Sequence, residues 1–196
     1  MQDSRDYWDQ RYLNDDTPWD EGAPSPPLRE FLAKRAVSGK VLVPGCGMGH
    51  DVRALTSQGA DVVGLDISPE AIYRARMETR AEGEQYVCGD LFCLPQVMER
   101  TFDLVFEHTC FCAIDPELRT SYVKAVREAL KPSGQLLAVF FMNPAAETGP
   151  PFGATLEELD RLFGKHFDLE EDYIPEQSYP GREARERVRL YRLRGI

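Results

Sequence analysis

A chain of 196 residues with 42% hydrophobic residues has the size and composition of one globular domain with a sizeable core. Its formal net charge of −10 argues against nucleic acid or an anionic membrane as the main partner, because no basic surplus exists to neutralise phosphates. Five cysteines, an odd number with Cys110 and Cys112 inside an apolar run, and the lack of a signal peptide or an 18-residue apolar span, suit a reduced, cytoplasmic protein with buried thiols. Its expected substrates are small molecules, and the expected oligomeric state is a monomer.

Residues 1 to 36 precede the first core strand. Tyr7, Trp8, Arg11 and Tyr12 recur at helical spacing, Thr17 to Pro27 reads as an irregular loop, and Leu28 to Ala36 as a helix leading into a sheet. The early tryptophans and tyrosines are costly to leave in water. Two readings stay open: a helix packed on the sheet edge, or a flap over a ligand with Trp19 reaching the site.

Lys40 to Asp66 organises the rest. Val41, Leu42 and Val43 form an apolar run suited to burial on both faces, as in a central parallel strand. Gly45, Gly47 and Gly49 follow as G-x-G-x-G, which lets the chain turn sharply and a ligand approach the backbone. A helix is expected from near Gly49 to about Gln58, with Gly59 as its stop, then a second strand from Val62 to Leu65. Asp66 closes that strand about 20 residues past the first glycine, where an acid accepts hydrogen bonds from both hydroxyls of a ribose. The motif departs from G-x-G-x-x-G because His50 and Asp51 follow Gly49. Asp51 would repel a pyrophosphate at the helix start. A nucleoside carrying positive charge fits better, and S-adenosyl-L-methionine, with its sulfonium and ammonium, is one.

Ser68 and Pro69 read as the cap and first residue of a helix to about Glu82. Gln85 to Gly89 is the third expected strand. It ends in Asp90, Leu91 and Phe92, an acid and two apolar side chains suited to an adenine. Phe102 to Phe106 is the fourth strand, handing over to residues 107 to 114 at the carboxyl ends of the strands, where ligands bind. A Cys/His metal site from His108, Cys110 and Cys112 matches no zinc spacing, so no metal is expected. Pro116 to Leu130 reads as a helix stopped by Lys131 to Gly134, and Gln135 to Phe141 as the fifth strand. Residues 142 to 154 read as a lid loop, Leu156 to Phe163 as a helix, and Phe167 to Ile174 as a strand. A closing strand over Val188 to Leu193, set among arginines, suits an outer or near-edge position.

The segments VPGCGMGHDV, GLDIS, FDLVFEHTCFCAIDPELR, LKPSGQL and GPPF occur in the order seen in class I methyltransferases. With TPWDEG near the amino terminus, the chain more narrowly resembles the thiopurine methyltransferase family, which includes halide and thiol methyltransferases. The resemblance implies a Rossmann-like, doubly wound α/β fold with a seven-stranded, mostly parallel sheet whose last strand is antiparallel. It implies S-adenosyl-L-methionine as cofactor and a single domain: a cofactor-covering segment over residues 1–36 and a core over 37–196. It also implies that Trp8 and Trp19 lie over the cofactor, Gly45 and Gly47 pass its methionine portion, Asp66 and Ile67 lie at the ribose, Asp90, Leu91 and Phe92 frame the adenine, and Glu107 closes the pocket floor. Where relatives commonly carry Arg or Tyr after that acid, this chain has His108.

Methyl transfer from a sulfonium is an in-line displacement, so positioning dominates and contributes about 7–11 kcal/mol in near-attack geometry. Phe111, Phe140, Phe141 and Phe152 are candidates for an apolar acceptor pocket. Thiols are only partly ionised at neutral pH, so His108 is the candidate base or anion ligand, with a buried structural histidine as the alternative. The leading expectation is S-methylation of a small thiol. Its rivals are a halide or small-molecule O- or N-methyltransferase, a non-catalytic S-adenosylmethionine-binding module, and a nicotinamide oxidoreductase.

Overall fold

In β1 (Lys40–Pro44), alternate side chains leave on opposite faces, and both faces are covered: Val41 and Val43 enter one core, Leu42 the other. The computed structural model describes residues 4–142 and 149–195. Its other strands are β2 (Asp61–Asp66), β3 (Glu84–Cys88), β4 (Phe102–His108), β5 (Leu130–Phe141), β6 (Phe167–Tyr173) and β7 (Glu186–Leu193). They form one sheet in the order β3-β2-β1-β4-β5-β7-β6, with β7 antiparallel to both neighbours and the remaining pairs parallel. This is the doubly wound, Rossmann-like sheet expected from the resemblance.

Helices cover both faces. α1 spans Ser4–Leu13 and α2 spans Pro26–Lys34, started by the Ser25 side chain, which accepts from Leu28 N, and by prolines in the first turn. α2, α3 (His50–Thr56) and α4 (Pro69–Met77) pack on one face through Leu28, Phe31, Val52, Leu55, Ile72 and Ala75. α5 (Arg119–Ala129) and α6 (Leu156–Phe163) pack on the other through Tyr122, Val126, Leu159 and Phe163. The chain goes one way from β1 to β2 and the other way to β4. Their carboxyl ends therefore splay apart at the switch point, where such sheets bind ligands.

Several boundaries differ from expectation for local reasons. α4 ends at Met77, before Glu82, because the Glu84 carboxylate accepts from Arg80 N and Ala81 N and draws the chain into a turn. Asp115 accepts from Glu117 N, so residues 116–118 form a separate 3-10 turn and α5 begins at Arg119. β5 already begins at Leu130, pairs there with Phe102, and is irregular in register up to Gln135. β7 lies one strand in from the edge, and β6 is the edge. That explains how Arg189, 2% exposed, is held by Asp160 at 2.7 Å and Asp172 at 3.1 Å rather than by water. Of the expected lid over 142–154, residues 143–148 lie outside the described residues.

Candidate active site

The sharp turn after β1 is built from glycine because the protein crowds one side of it. Gly45, Gly47 and Gly49 have φ of 61°, 51° and 81°, a region side chains rarely adopt. A Cβ on Gly47 would stand 2.8 Å from the Tyr12 hydroxyl, and one on Gly45 2.9 Å from Cys110 Cβ. Asp66, buried at the end of β2, is anchored by backbone: one oxygen accepts from Gly47 N and the other from Ser68 N, both at 2.9 Å. Burial raises its pKa against those N–H groups, and both oxygens keep further lone pairs for a ligand. The neighbouring Asp90 caps the next turn by accepting from Phe92 N at 2.8 Å.

The amino-terminal segment is packed onto this end. The Trp8 and Trp19 rings meet edge to face with centroids 5.3 Å apart, and the Arg11 guanidinium lies 4.8 Å from the Trp19 ring. Trp19 Nε1 donates to the Tyr12 hydroxyl at 3.3 Å. Asp9 accepts from Ser68 Oγ at 2.7 Å and Glu70 N at 2.8 Å, which places an acid at the positive end of α4. Further along, Ser25 N donates to Asp51 at 2.7 Å, and the Tyr179 hydroxyl donates to the Ala23 carbonyl.

A cavity of about 750 Å³ runs from the glycine turn across the carboxyl ends of the strands. Its far end is lined by Cys112, Ile114, Phe141, Pro151 and Phe152, with His108, Asp51, Arg182 and Glu186 as polar groups. His108 Nδ1 is 3.1 Å from Asp51, and Nε2 is 3.9 Å from Glu186. Burial opposes its charge, yet the carboxylates of Asp51 and Glu186 override burial and push the imidazole up to about 9. A carboxylate at each nitrogen thus favours the imidazolium form, which donates from both nitrogens. Burial also raises the thiols that line the cavity, Cys46 and Cys110 well up and Cys112 to about 12.

The cavity brings together Trp8, Trp19, Gly45, Gly47, Asp66, Ile67, Asp90, Leu91, Phe92, His108, Phe141 and Phe152, twelve of the fifteen residues proposed from the sequence for the site. Three lie behind the wall instead. Phe111 points into the core against Tyr122, Phe140 and Phe163, because the 3-10 turn at Phe111–Ala113 directs it under the sheet end; Phe140 shares that core. Glu107, 1% exposed, does not line the pocket floor: its oxygens accept from Phe111 N at 2.7 Å and from the Tyr122 hydroxyl. Burial raises its carboxyl to about 7. Tyr12, from the amino-terminal aromatic group, also lines the cavity, and so do Tyr179, Arg182 and Glu186, which come from segments with no motif. Among the described residues no cluster of three or more His, Cys, Asp or Glu could hold a metal, and no helix is long and apolar enough to cross a membrane.

The sheet order and a nucleoside-type site at its switch point define a class I methyltransferase fold. Among solved structures the chain superposes on the Burkholderia thailandensis 1,6-didemethyltoxoflavin-N1-methyltransferase, crystallised with S-adenosylhomocysteine, with a TM-score of 0.77 at 21% identity, covering 97% of this chain and 87% of that one. A sequence model of the thiopurine S-methyltransferase family matches residues 3–188, and the chain belongs to that family. It is 34% identical over 160 residues to thiocyanate methyltransferase 1 of Arabidopsis thaliana, covering 79% of this chain and 70% of that protein. It is 29% identical over 183 residues to the thiopurine S-methyltransferase of Nitrosospira multiformis, covering 84% of this chain and 83% of the relative. The chain is an S-adenosylmethionine-dependent methyltransferase.

Proposed function

We propose that this protein methylates the sulfur of a small thiol, binding cofactor at the glycine-turn end of the cavity and acceptor at the His108 end. The observation that carries this is one continuous cavity joining an acid-and-glycine cradle to an apolar pocket that holds a buried imidazole set between two carboxylates. The cradle fits the cofactor: the glycines let the backbone take a turn that side chains could not enter, so it lines the cavity directly, and Asp66 offers lone pairs there. Asp66 with Ile67 holds the ribose, Gly45 and Gly47 admit the methionine portion, and Asp90, Leu91 and Phe92 frame the adenine. Trp8 and Trp19 cover it, with residues 1–36 as the cofactor-covering segment of a single domain.

When bound, S-adenosylmethionine supplies a methyl carbon that the acceptor sulfur's electron pair attacks as the sulfonium bond breaks and its electrons stay on the leaving thioether. The acceptor thiol releases its proton to solvent and His108 Nε2–H holds the resulting thiolate, because an adjacent cation lowers a thiol's pKa. Phe141 and Phe152 exclude water around the anion. The site is complete within one chain, as a monomer requires. Five unpaired cysteines support a reducing, cytoplasmic setting, and the charge of −10 supports a small-molecule acceptor rather than nucleic acid or membrane.

Product assays with thiols, iodide and amines in parallel test the reading. Methyl thioether is expected as the main product, and His108→Gln is expected to lower kcat/KM on thiols about tenfold or more while cofactor affinity holds. Methyl iodide as the dominant product would overturn the thiol assignment.

A further inference from the structure

Two buried polar atoms at the acceptor end have no hydrogen-bond partner among the described residues, His108 Nε2 and Glu186 Oε2. Glu186 opens β7, pairs across the sheet with Phe141, is 2% exposed and lines the cavity. Its other oxygen is 3.9 Å from His108 Nε2 and 3.7 Å from Arg182 Nη1. A donor and an acceptor, both buried and unmatched, thus stand side by side in the wall of one pocket. Buried polar groups left unpaired are costly, and a ligand that matches them gains what a plain ligand cannot. A bare anion such as iodide or thiocyanate can take the proton of His108 but offers Glu186 nothing and is repelled by it. An ammonium would suit Glu186 but meets Arg182 and His108 beside it.

We propose that Glu186 is a specificity-determining residue that accepts a hydrogen bond from a neutral O–H or N–H group carried within about three bonds of the acceptor sulfur, while that sulfur rests on His108 Nε2. The preferred acceptor is therefore a bifunctional thiol, not a bare soft anion. This rests on the S-methyltransferase reading above and narrows its substrate class. A sulfur bound as thiolate has no proton left to give Glu186, so a second group on the substrate must supply the donor.

Steady-state methylation of 2-mercaptoethanol and of its O-methyl ether, 2-methoxyethanethiol, tests it, since the sulfur is alike and only the donor is lost. Wild-type protein is expected to favour the hydroxy-thiol by about tenfold or more in kcat/KM. Glu186→Met, which keeps length and removes the acceptor, is expected to bring the two thiols to within about twofold of each other. A merely structural Glu186 would lower both rates and leave their ratio unmoved. Equal wild-type rates, or a preference that survives in Glu186→Met, overturns the proposal. If Glu186→Met no longer binds S-adenosylhomocysteine by calorimetry, the wild-type pair decides alone. Cofactor binding with no methyl thioether from either thiol would instead overturn the S-methyltransferase reading, and this inference with it.

Discussion

The two ends of the cavity are made from different material. At the cofactor end the decisive groups are backbone or are held by backbone: three glycines at positive φ, and Asp66 fixed by Gly47 N and Ser68 N. All lie within one strand-helix-strand unit. At the acceptor end the groups are side chains from distant segments, Asp51 from α3, His108 from β4, Arg182 from the loop before β7 and Glu186 from β7, set within 4 Å of one another in pairs. In the proposed reading the backbone-built end takes the cofactor and the end built of side chains takes the acceptor. Wherever a family keeps its cofactor and changes its acceptor, this division of labour is the expected physical basis.

The sharpest way to break that comparison is at the cofactor end. Charge-assisted hydrogen bonds contribute roughly 1.5–3 kcal/mol each, so Asp66→Ala is expected to weaken S-adenosylhomocysteine at least about tenfold by calorimetry. An unchanged affinity with a native circular dichroism spectrum would remove Asp66 from the ribose.

Arg119 probes the acceptor wall. It is 2% exposed, pairs with Glu158 at 2.8 Å, and donates to the carbonyls of Phe152 and Gly153 at 2.9 and 3.1 Å. Arg119→Met leaves those groups unmatched at a cost of about 2 kcal/mol. The expected result is a Tm lower by roughly 4–8 °C and a higher acceptor KM. Cofactor affinity should hold; if it falls in step with KM, the two ends are not separable.

A smaller effect follows from the charge of His108. Its folded-state pKa, about 9, lies above the ordinary 6.5, so its contribution to stability is complete below about pH 6.5 and fades as pH rises towards 9. The difference in Tm between wild type and His108→Gln should therefore shrink between pH 6 and 9. A constant difference would show that Asp51 and Glu186 do not hold the imidazole charged.

The smallest expected change concerns the amino-terminal segment, already packed through Trp8, Trp19 and Asp9. S-adenosylhomocysteine should slow proteolysis within residues 4–27, and equal cleavage with and without it would leave Trp8 and Trp19 as packing alone.

The strand, glycine turn and buried acid were legible in the sequence because their rules are local. An apolar run of three, glycines at fixed spacing and an acid about 20 residues on are consequences of backbone geometry within one short stretch. The same holds for the start of α4, where Ser68 and Pro69 cap and open the helix as expected. Phe111 shows where that logic stops: an aromatic next to a site residue could face the pocket or the core, and a single 3-10 turn sent it to the core. Glu186 and Arg182 were illegible for a stronger reason. In the chain they are two charges in a polar, arginine-rich stretch, alike with many others. Only the insertion of β7 between β5 and β6 buries Glu186 and brings it to within 3.9 Å of His108. The sequence by itself determined the sheet's central unit, the family and the cofactor, since these depend on contacts between near neighbours along the chain. The tertiary structure alone decided the charge of His108 and the makeup of the acceptor pocket, since both depend on burial and on partners supplied by residues 57 and 78 positions away.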